Sequence, residues 1–470
     1  MKYDTVIGLE VHCELKTKTK CFCGCKNNFG DEPNSNCCPV CLGFPGALPV
    51  LNKTAVEYAI MAGLAFNCSI NNETVFERKN YFYPDLSKAY QISQLEKPLC
   101  VNGYVEINVN GTYKKIRLNR IHLEEDAGKL IHDGMGGTVV DYNRGGVPLI
   151  EIVTEPDIAS ADEAIAFLET LKNTIAYTGI SDVKMEEGSL RCDVNLSVKP
   201  AGSNQLGTRT EMKNLNSFKA VFRAINYEQK RQIEEIEDGH EIVQETLRWD
   251  DALGESKSMR SKEDSQDYRY FPDPDLLPVY ISNEEIAEIK SKLPILPNEL
   301  KAKYVSYGLS DYDAGLLVET KNISDYFNEV LTHIANPKLV ANFIINETMR
   351  KLKDDSTNKI DAKSLAELLL LIDKNEISST AGKQVFEKMW ETGKSAGELV
   401  EQLGLKQLNN DDEILKMVLE AISNFPQSVA DYKNGKTSAI GFLVGQVMKN
   451  SKGKANPQKV SLMLKEELEK

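Results

Sequence analysis

The chain has 470 residues, of which 41% are hydrophobic and 27% charged, and its formal net charge is −14. This composition is that of a soluble globular protein, and the length predicts two or three domains rather than one core. The charge argues against a uniformly basic surface for nucleic acid, although it permits a local basic patch. No apolar run approaches bilayer length, and the first residues form a charged strand pattern rather than a signal peptide. We therefore expect a cytoplasmic protein with no membrane partner, whose ten cysteines are thiols or metal ligands.

The first predicted strand, residues 6–14, separates apolar from polar side chains. Its odd positions are apolar, whereas the other face carries Gly8, Glu10, His12 and Glu14. Side chains two positions apart on a strand share a face, so the pattern predicts a strand with one buried and one acidic face.

Four later stretches sort acidic side chains from apolar ones in the same way. They contain His122 and Glu124; Glu151; Arg191, Asp193, Asn195 and Ser197; and Arg209, Glu211 and Lys213. If these strands are neighbours, their carboxylates converge, and converging anions need a cation. The repetition therefore predicts a site for Mg²⁺ and a nucleotide. A shift in the apolar phase near Asn119 also predicts a β-bulge that re-aims the side chains after it.

Two closely spaced cysteine pairs predict a zinc site. The spacing suits four tetrahedral thiolate ligands, which are Cys23, Cys25, Cys38 and Cys41. Cys21 and Cys37 flank these pairs and could replace a ligand, and reduced buried thiols are the alternative interpretation. A closed site of this kind would be structural. The remaining cysteines lie in apolar patterns and are expected in the core: Cys13, Cys68, Cys100 and Cys192.

Three further motifs have both a functional and an ordinary interpretation. The consecutive acids at 124–126, with Glu125 at their centre, form either a site or a solvated charge run. Lys79 lies among aromatic residues and either opposes phosphate oxygens or extends along the surface. The segment 258–275 either stacks on a purine and contacts phosphates or forms a rigid proline-containing connector. Its candidate nucleotide contacts are Arg260, Lys262, Tyr268 and Arg269.

The region up to about residue 278 is rich in short strands, with helices predicted at 53–67 and 160–177. Beyond it the sequence is almost entirely helical, for example at 298–307, 361–373 and 378–392. We therefore predict an α+β protein with a mixed-sheet domain at 1–292, an all-α helical domain at 293–405 and a small helical tail at 406–470. The tail carries a group of lysines that forms the candidate basic patch: Lys433, Lys436, Lys449, Lys452 and Lys454.

Missing motifs exclude a P-loop nucleotide-binding site and a glutamine-hydrolysing site on this chain. Residues 393–395 match the end of a Walker A loop, but Lys388 stands where the upstream glycine is required. Neither an amidase-type serine-rich glycine loop nor a glutaminase-like cysteine occurs, so any glutamine hydrolysis must take place on another chain.

Seven motifs follow one another along the chain, at 10–12, 79–85, 122–129, 143–152, 186–193, 267–272 and 441–446. Together they resemble the B-subunit family of the bacterial aspartyl/glutamyl-tRNA amidotransferase over essentially the whole chain. The resemblance implies an ATP-dependent carbon–nitrogen ligase with glutamine as amido donor. It would phosphorylate the side-chain carboxylate of Asp-tRNA(Asn) or Glu-tRNA(Gln), and ammonia would then displace the phosphate.

The resemblance also implies roles for individual residues and partners. Magnesium would be held by His12, Glu125 and Glu151, while Glu10 and Asp193 would position nucleotide and substrate. Further residues expected close by are Glu124, Asn195 and Glu211. The catalytic domain would be cradle-shaped and the tail would grip tRNA. The partners would be an amidase (A) subunit that supplies ammonia and a small C subunit.

Two other functions also fit clustered carboxylates or a basic tail. A two-metal hydrolase would use the same acids, although only five histidines occur in the chain. A catalytically inert tRNA-binding scaffold is the other, although acidic strands repel a polyanion unless metal or lysine intervenes.

Overall fold

The computed structural model describes residues 2–132, 137–260, 268–353, 355, 357–407, 410–451 and 454–469. Lys262 and Lys452 lie outside the described residues, and only the backbone of Arg260 is described. The chain forms two compact units, one ending at Pro297 and one beginning at Asn298. The sequence predicts the first domain boundary after residue 292, close to this division between the two units. The second predicted boundary, after residue 405, stays a prediction.

The first unit is built on a nine-stranded sheet. From one edge to the other its strands are β14 (Glu255–Arg260), β13 (Thr246–Asp250), β12 (Thr210–Leu215), β11 (Leu190–Pro200), β1 (Tyr3–Glu14), β10 (Pro148–Thr154), β7 (Thr112–Glu125), β6 (Cys100–Val109) and β2 (Ser69–Ile70). Neighbours are antiparallel except for the parallel pair β12 and β13. The predicted mixed sheet is confirmed.

Smaller elements complete this unit. A three-stranded sheet consists of β15 (Phe271–Pro272), β4 (Glu77–Asn80) and β5 (Tyr90–Ser93). One two-stranded sheet pairs β16 (Val279–Tyr280) with β3 (Glu73–Thr74), and another pairs β8 (Lys129–His132) with β9 (Thr138–Asp141). The helices are α1 (Lys53–Ala65), α2 (Ala161–Thr178), α3 (Phe218–Glu237) and α4 (Asn283–Ser291). Helix α2 begins after Ser160 as predicted, because the Ser160 hydroxyl accepts the Glu163 backbone N–H at 3.2 Å.

Strand β1 lies at the centre of the sheet and separates its faces as the sequence predicts. Ile7, Leu9 and Val11 are fully buried in one core with residues of the helices, including Phe167 and Val221. Each such side chain contributes about 1.5–3 kcal/mol relative to exposure. The four cysteines predicted to be core residues are buried as well: Cys13, Cys68, Cys100 and Cys192. The apolar face therefore anchors the sheet, and the opposite face is left for polar side chains.

The predicted bulge on β7 is confirmed. Val153 of β10 pairs with Arg120, but the next residue, Thr154, pairs with Leu118, so Asn119 has no opposite residue on β10. The extra residue changes which face the following side chains occupy. His122 and Glu124 thereby join the polar face of the sheet.

The second unit is helical in its described part. Its elements are α5 (Pro297–Ser306), α6 (Asp311–Leu317), α7 (Lys321–Leu331), α8 (Pro337–Phe343), a π-helical turn (Ile344–Thr348), α9 (Met349–Leu352), α10 (Ala362–Asp373), α11 (Ser379–Thr392), α12 (Ala396–Gln402), α13 (Asp411–Asn424), α14 (Pro426–Lys433), α15 (Ala439–Asn450) and α16 (Pro457–Glu469). Helices α13, α15 and α16 share a core that includes Val418, Leu443 and Leu464. Among the helices described, none is both long and apolar enough to cross a bilayer.

Candidate active site

Three cross-strand rows bring the predicted polar residues together on one face of the sheet. The first row contains His122, Glu151, His12 and Arg191, and the second contains Glu10 and Asp193. The third row contains Gly8, Asn195 and Glu211. Facing Cα atoms in antiparallel strands are about 4.5–5.5 Å apart. The strands that carry the predicted carboxylates are therefore neighbours, as expected from the sequence.

The first carboxylate group consists of His12, Glu124 and Glu151, whose ligand atoms lie within 4.8 Å of one another. His12 Nε2 is 3.4 Å from a Glu151 oxygen, and His122 Nε2 lies 3.3 Å from Glu124 Oε1. Glu124 Oε1 is nevertheless buried without a hydrogen-bond partner among the described residues. An unsatisfied buried carboxylate oxygen beside two further ligand atoms fits a bound divalent cation.

The magnesium set of His12, Glu125 and Glu151 stays a prediction, and the structure places Glu125 outside the group that contains the other two. The Glu125 carboxylate instead contacts the Lys88 ammonium and accepts the Ile92 backbone N–H at 3.0 Å. Adjacent residues on a strand point to opposite faces, so Glu124 and Glu125 cannot both face His12. In the structure it is Glu124 that groups with His12 and Glu151.

The pKa values of the two glutamates in this group diverge. Burial, then the nearby Glu151 carboxylate, raises the pKa of Glu124, and His122 only partly opposes this. Burial also acts to raise the pKa of Glu151, but His122, Glu124 and His12 together hold it well below its usual range. The surroundings therefore favour the charged form of Glu151 and disfavour that of Glu124.

The second carboxylate group consists of Glu10, Asp193 and Glu211, again within 4.8 Å. Lys213 Nζ lies 2.6 Å from Asp193 and 2.8 Å from Glu211. Asn195 donates a hydrogen bond to Glu10 Oε1 at 3.0 Å. Burial and the Glu151 and Glu211 carboxylates raise the pKa of Glu10 despite Lys213. This group retains more negative charge than one lysine neutralises, and it could hold a second cation.

Lys79 on β4 faces the first carboxylate group. Burial alone would lower its pKa, but Glu124, Tyr270 and Glu151 raise the pKa above its usual range, so the side chain is an ammonium ion. The Lys79 ammonium lies 4.9 Å from the centroid of the Tyr268 ring. The Asn80 side chain fixes the segment by donating to the Arg269 carbonyl at 2.8 Å. The exposed Arg269 has a φ of 44°, which places its backbone in the left-handed region.

The four predicted zinc ligands converge. Sulfur atoms of Cys23, Cys25, Cys38 and Cys41 lie within 4.8 Å of one another. The pKa of Cys41 is lowered to about 4, chiefly by its hydrogen bond with the Cys23 thiol. Burial opposes this shift, whereas the Cys38 backbone N–H and the Lys20 ammonium add to it. Lys20 is fully buried and donates to the Tyr142 carbonyl at 3.0 Å. Both flanking cysteines, Cys21 and Cys37, fall outside this group. The arrangement suits a metal that binds thiolates.

The described lysines of the predicted tail patch are exposed: Lys433, Lys436, Lys449 and Lys454. Lys436 is 3.4 Å from Asp431, the acid that the sequence places among them. Such surface pairs contribute little, so the ammonium groups are accessible to a phosphate backbone.

Comparison with known proteins agrees with this geometry. Residues 5–287 match the family described as the GatB/GatE catalytic domain, and residues 325–468 match the GatB domain. The chain belongs to the GatB/GatE family. Relatives from Caldicellulosiruptor saccharolyticus, Thermoanaerobacter sp. and Lachnospira eligens are 57%, 54% and 53% identical, and each alignment covers 99–100% of both chains. All three are named as the B subunit of an aspartyl/glutamyl-tRNA(Asn/Gln) amidotransferase. The resemblance inferred from the motifs is confirmed.

The GatB/GatE catalytic-domain match contains both carboxylate groups and the four cysteines, and the GatB-domain match contains the exposed lysines. Three residues that the sequence analysis placed on the polar strand faces without an individual role lie beside the catalytic-domain groups. His122 lies between Glu124 and Glu151, Lys213 joins Asp193 to Glu211, and Arg191 contacts buried Asp126. Their alternation with the predicted site residues already placed them on the polar faces, but it did not reveal which side chains they contact.

Proposed function

We propose that this chain is the B subunit of a glutamine-dependent tRNA amidotransferase that acts on Asp-tRNA(Asn), Glu-tRNA(Gln) or both. It would use ATP to phosphorylate the side-chain carboxylate and ammonia to form the amide. An amidase (A) subunit would supply ammonia, a small C subunit would complete the complex, and the cytoplasm would be its compartment. The observation that carries this proposal is the convergence of two carboxylate groups on one face of the nine-stranded sheet, with Lys79 of β4 close to the first of them.

Two divalent ions fit this face. His12, Glu124 and Glu151 would hold one Mg²⁺ ion, and Glu10, Asp193 and Glu211 a second. When bound, Mg²⁺ would neutralise charge on the phosphate oxygens during transfer.

The protein's own residues position the reactants. Lys79 supplies a fixed positive charge beside the first carboxylate group, where it attracts both the substrate carboxylate and the γ-phosphate. The substrate carboxylate oxygen attacks the γ-phosphorus, the bond to the β-phosphate oxygen breaks, and ADP leaves. We place Tyr268 and Arg269 at the rim of this end of the site, next to Lys79.

The second step needs an acyl phosphate because a carboxylate lacks a good leaving group. The ammonia nitrogen attacks the carbonyl carbon, the bond from that carbon to the phosphate oxygen breaks, and inorganic phosphate leaves with the proton that the nitrogen loses. Ammonia is a nucleophile only when unprotonated, so it must arrive from the amidase through a route shielded from water.

The proposal is tested with the complex supplied with ATP, Mg²⁺, Glu-tRNA(Gln) and ammonium chloride in place of glutamine. Formation of Gln-tRNA(Gln) is the expected result. Phosphate release that does not depend on tRNA would favour the two-metal hydrolase instead. Binding of tRNA without turnover would favour the scaffold.

We further propose that the four-cysteine group binds structural Zn²⁺. Cys38→Ser is expected to abolish the bound zinc and lower the melting temperature by about 10 °C, because a structural metal contributes several kcal/mol to folding. Zinc content is measured by elemental analysis and stability by calorimetry. Cys37→Ser is the matched control, since Cys37 is the adjacent cysteine but lies outside the group. Equal zinc content in the wild type and both variants would contradict the assignment.

We also propose that the tail lysines bind tRNA. Substituting Lys433, Lys436, Lys449 and Lys454 together with Ala should weaken tRNA binding about tenfold or more and reduce the salt dependence by roughly 0.7–0.9 per lost contact. Filter binding over a range of salt concentrations measures both effects. Lys416 and Lys465, which are exposed on the same helical tail, provide the control substitutions. If the control reduces the salt slope equally, the patch has no specific role.

A further inference from the structure

A buried polar network connects helix α3 with strands β11 and β12, on the side of the sheet away from the carboxylate groups. Its central members, Thr210 of β12 and Glu228 and Gln232 of α3, are each 0% exposed. Met212 and Val221, on the same strand and helix, belong to the apolar main core. Buried polar groups need partners for their donors and acceptors, and burying them costs free energy. Packing of the core alone therefore does not account for this network.

The network joins α3 to both strands at the point where β12 begins. The Thr210 hydroxyl donates a hydrogen bond to Glu228 Oε1 at 2.8 Å and accepts one from the Gln232 side-chain amide at 2.9 Å. Gln232 Oε1 accepts the Val198 backbone N–H of β11 at 3.1 Å. Arg231 donates two hydrogen bonds to the Glu228 carboxylate, at 2.7 and 2.8 Å. Two side chains of one helix thus hold the hydroxyl of Thr210.

The register of β12 decides which of its side chains face the second carboxylate group. Thr210 and Met212 are buried on the side of the core, whereas Glu211 and Lys213 alternate with them and lie on the polar face. A strand that slips by one residue exchanges its two faces. The pairing of β12 with β11 already contains one register shift farther along the strand. A slip at the start of β12 would remove Glu211 and Lys213 from the polar face.

We propose that Glu228 and Gln232 are positioning residues that fix the register of β12, so that Glu211 and Lys213 reach the second carboxylate group. The inference rests on the proposed function, in which that group holds a divalent ion. Thr210 precedes Glu211 in the chain, so the hydroxyl held by α3 belongs to the neighbour of a candidate metal ligand. Apolar contacts are non-directional and accept either register, whereas hydrogen bonds to one hydroxyl favour a single register.

Added stability alone is a weaker explanation of the network. The desolvation of a buried ion pair such as Glu228 and Arg231 can exceed the attraction between its charges, and apolar replacements are often at least as stable. What directional hydrogen bonds add is a preference for one arrangement of the backbone. A residue that only stabilises the fold and a residue that fixes the register also differ in what their loss changes, and this difference can be measured.

The test compares two variants that both lower the melting temperature. Thr210→Val keeps the shape of the side chain but removes the hydroxyl, whereas Val221→Ala opens a cavity in the core on the same helix. In the complete complex, well below both melting temperatures, Thr210→Val should raise the Mg²⁺ concentration for half-maximal amide formation about tenfold or more. Val221→Ala should leave that concentration unchanged. Thr210→Ser keeps the hydroxyl and should retain the Mg²⁺ requirement of the wild type.

Hydrogen–deuterium exchange gives a second readout that needs no turnover. In Thr210→Val, the amide protons of residues 210–215 should exchange about tenfold faster relative to those of β1, because the start of β12 opens locally. In Val221→Ala, exchange in β12 and β1 should change by the same factor. Gln232→Met removes the amide from the other side of the contact and should act like Thr210→Val in both measurements.

Three outcomes overturn the inference. The first is a lower melting temperature in Thr210→Val with an unchanged Mg²⁺ requirement, whether or not exchange in β12 is faster. The second is an equal rise of the Mg²⁺ requirement in Val221→Ala, which would make the effect one of stability. The third is unchanged relative exchange of β12 in both Thr210→Val and Gln232→Met. If the wild-type complex forms no amide, the proposed function itself fails, and the exchange measurement still decides whether α3 fixes the register.

Discussion

Replacing Glu151 with Gln is expected to reduce tRNA-dependent phosphate release from ATP by about 10³-fold, the upper end of the range seen when one preorganised stabilising group is lost from an active site. Glu151 lies within reach of both His12 and His122, and those histidines keep its pKa well below the usual range. It is therefore the fixed negative charge of the first carboxylate group. Glutamine has nearly the same shape, so the substitution removes charge with little change in packing. The affinity for tRNA should be unchanged.

The measurement is single-turnover phosphate release, together with the Mg²⁺ concentration that gives half-maximal rate. Glu151→Gln should raise that concentration as well as lower the rate. Glu155→Gln is the control, because Glu155 follows the same strand and bonds Asn119 at the surface. An unchanged Mg²⁺ requirement in Glu151→Gln would show that the group does not bind metal.

The alternation of side chains was sufficient to predict which strands share the polar face. The period of two is a property of the extended backbone, so Glu10, His12 and Asp193 could be assigned to one face without knowledge of the tertiary fold. Strand order cannot be read in this way. That β1 lies between β10 and β11 follows from long-range pairing, and the sequence supported it only through the assumption that the anions need a common cation.

Alternation does not distinguish Glu124 from Glu125. Two acids in succession on a buried strand occupy opposite faces, and both faces of β7 are enclosed at this point. Apolar periodicity therefore gave no signal, and the resemblance had assigned Glu125 to magnesium. The contacts of the two side chains differ: Glu125 contacts the Lys88 ammonium, whereas Glu124 lies beside His122 and interacts with Lys79.

The cysteine group was predictable for a different reason. Ligands held two and three residues apart on tight turns remain close whatever the rest of the fold does. The sequence left Cys21 and Cys37 as alternatives because neighbouring cysteines satisfy the same spacing. Only the backbone geometry separates them, since it buries Cys21 in the main core and turns Cys37 toward the Asn143 side-chain oxygen at 3.9 Å.

Lys79→Met is expected to lower the rate of amide formation with ammonium chloride by about 10²–10³-fold. The side chain of methionine fills similar space but removes the positive charge that interacts with Glu124 and Glu151. The pKa of Lys79 is raised in the folded protein, so its charge is present at all pH values below the ordinary lysine range and would be lost only at more alkaline pH. The rate of the wild-type enzyme near neutral pH should therefore show no titration from this residue.

The decisive comparison is with a lysine in a similar contact elsewhere. Lys115 Nζ lies 4.1 Å from the centroid of the Tyr104 ring, on a part of the sheet away from the carboxylate groups, so Lys115→Met removes a cation–π contact without touching the site.

Lys79→Arg keeps the charge and should recover part of the rate. Recovery is not complete, because guanidinium is larger than ammonium and directs its N–H groups differently. If Lys79→Met lowers melting temperature and activity together while Lys79→Arg restores only the stability, Lys79 is a packing residue. Recovery of the rate with charge, at constant melting temperature, is the outcome that an electrostatic role in phosphoryl transfer requires.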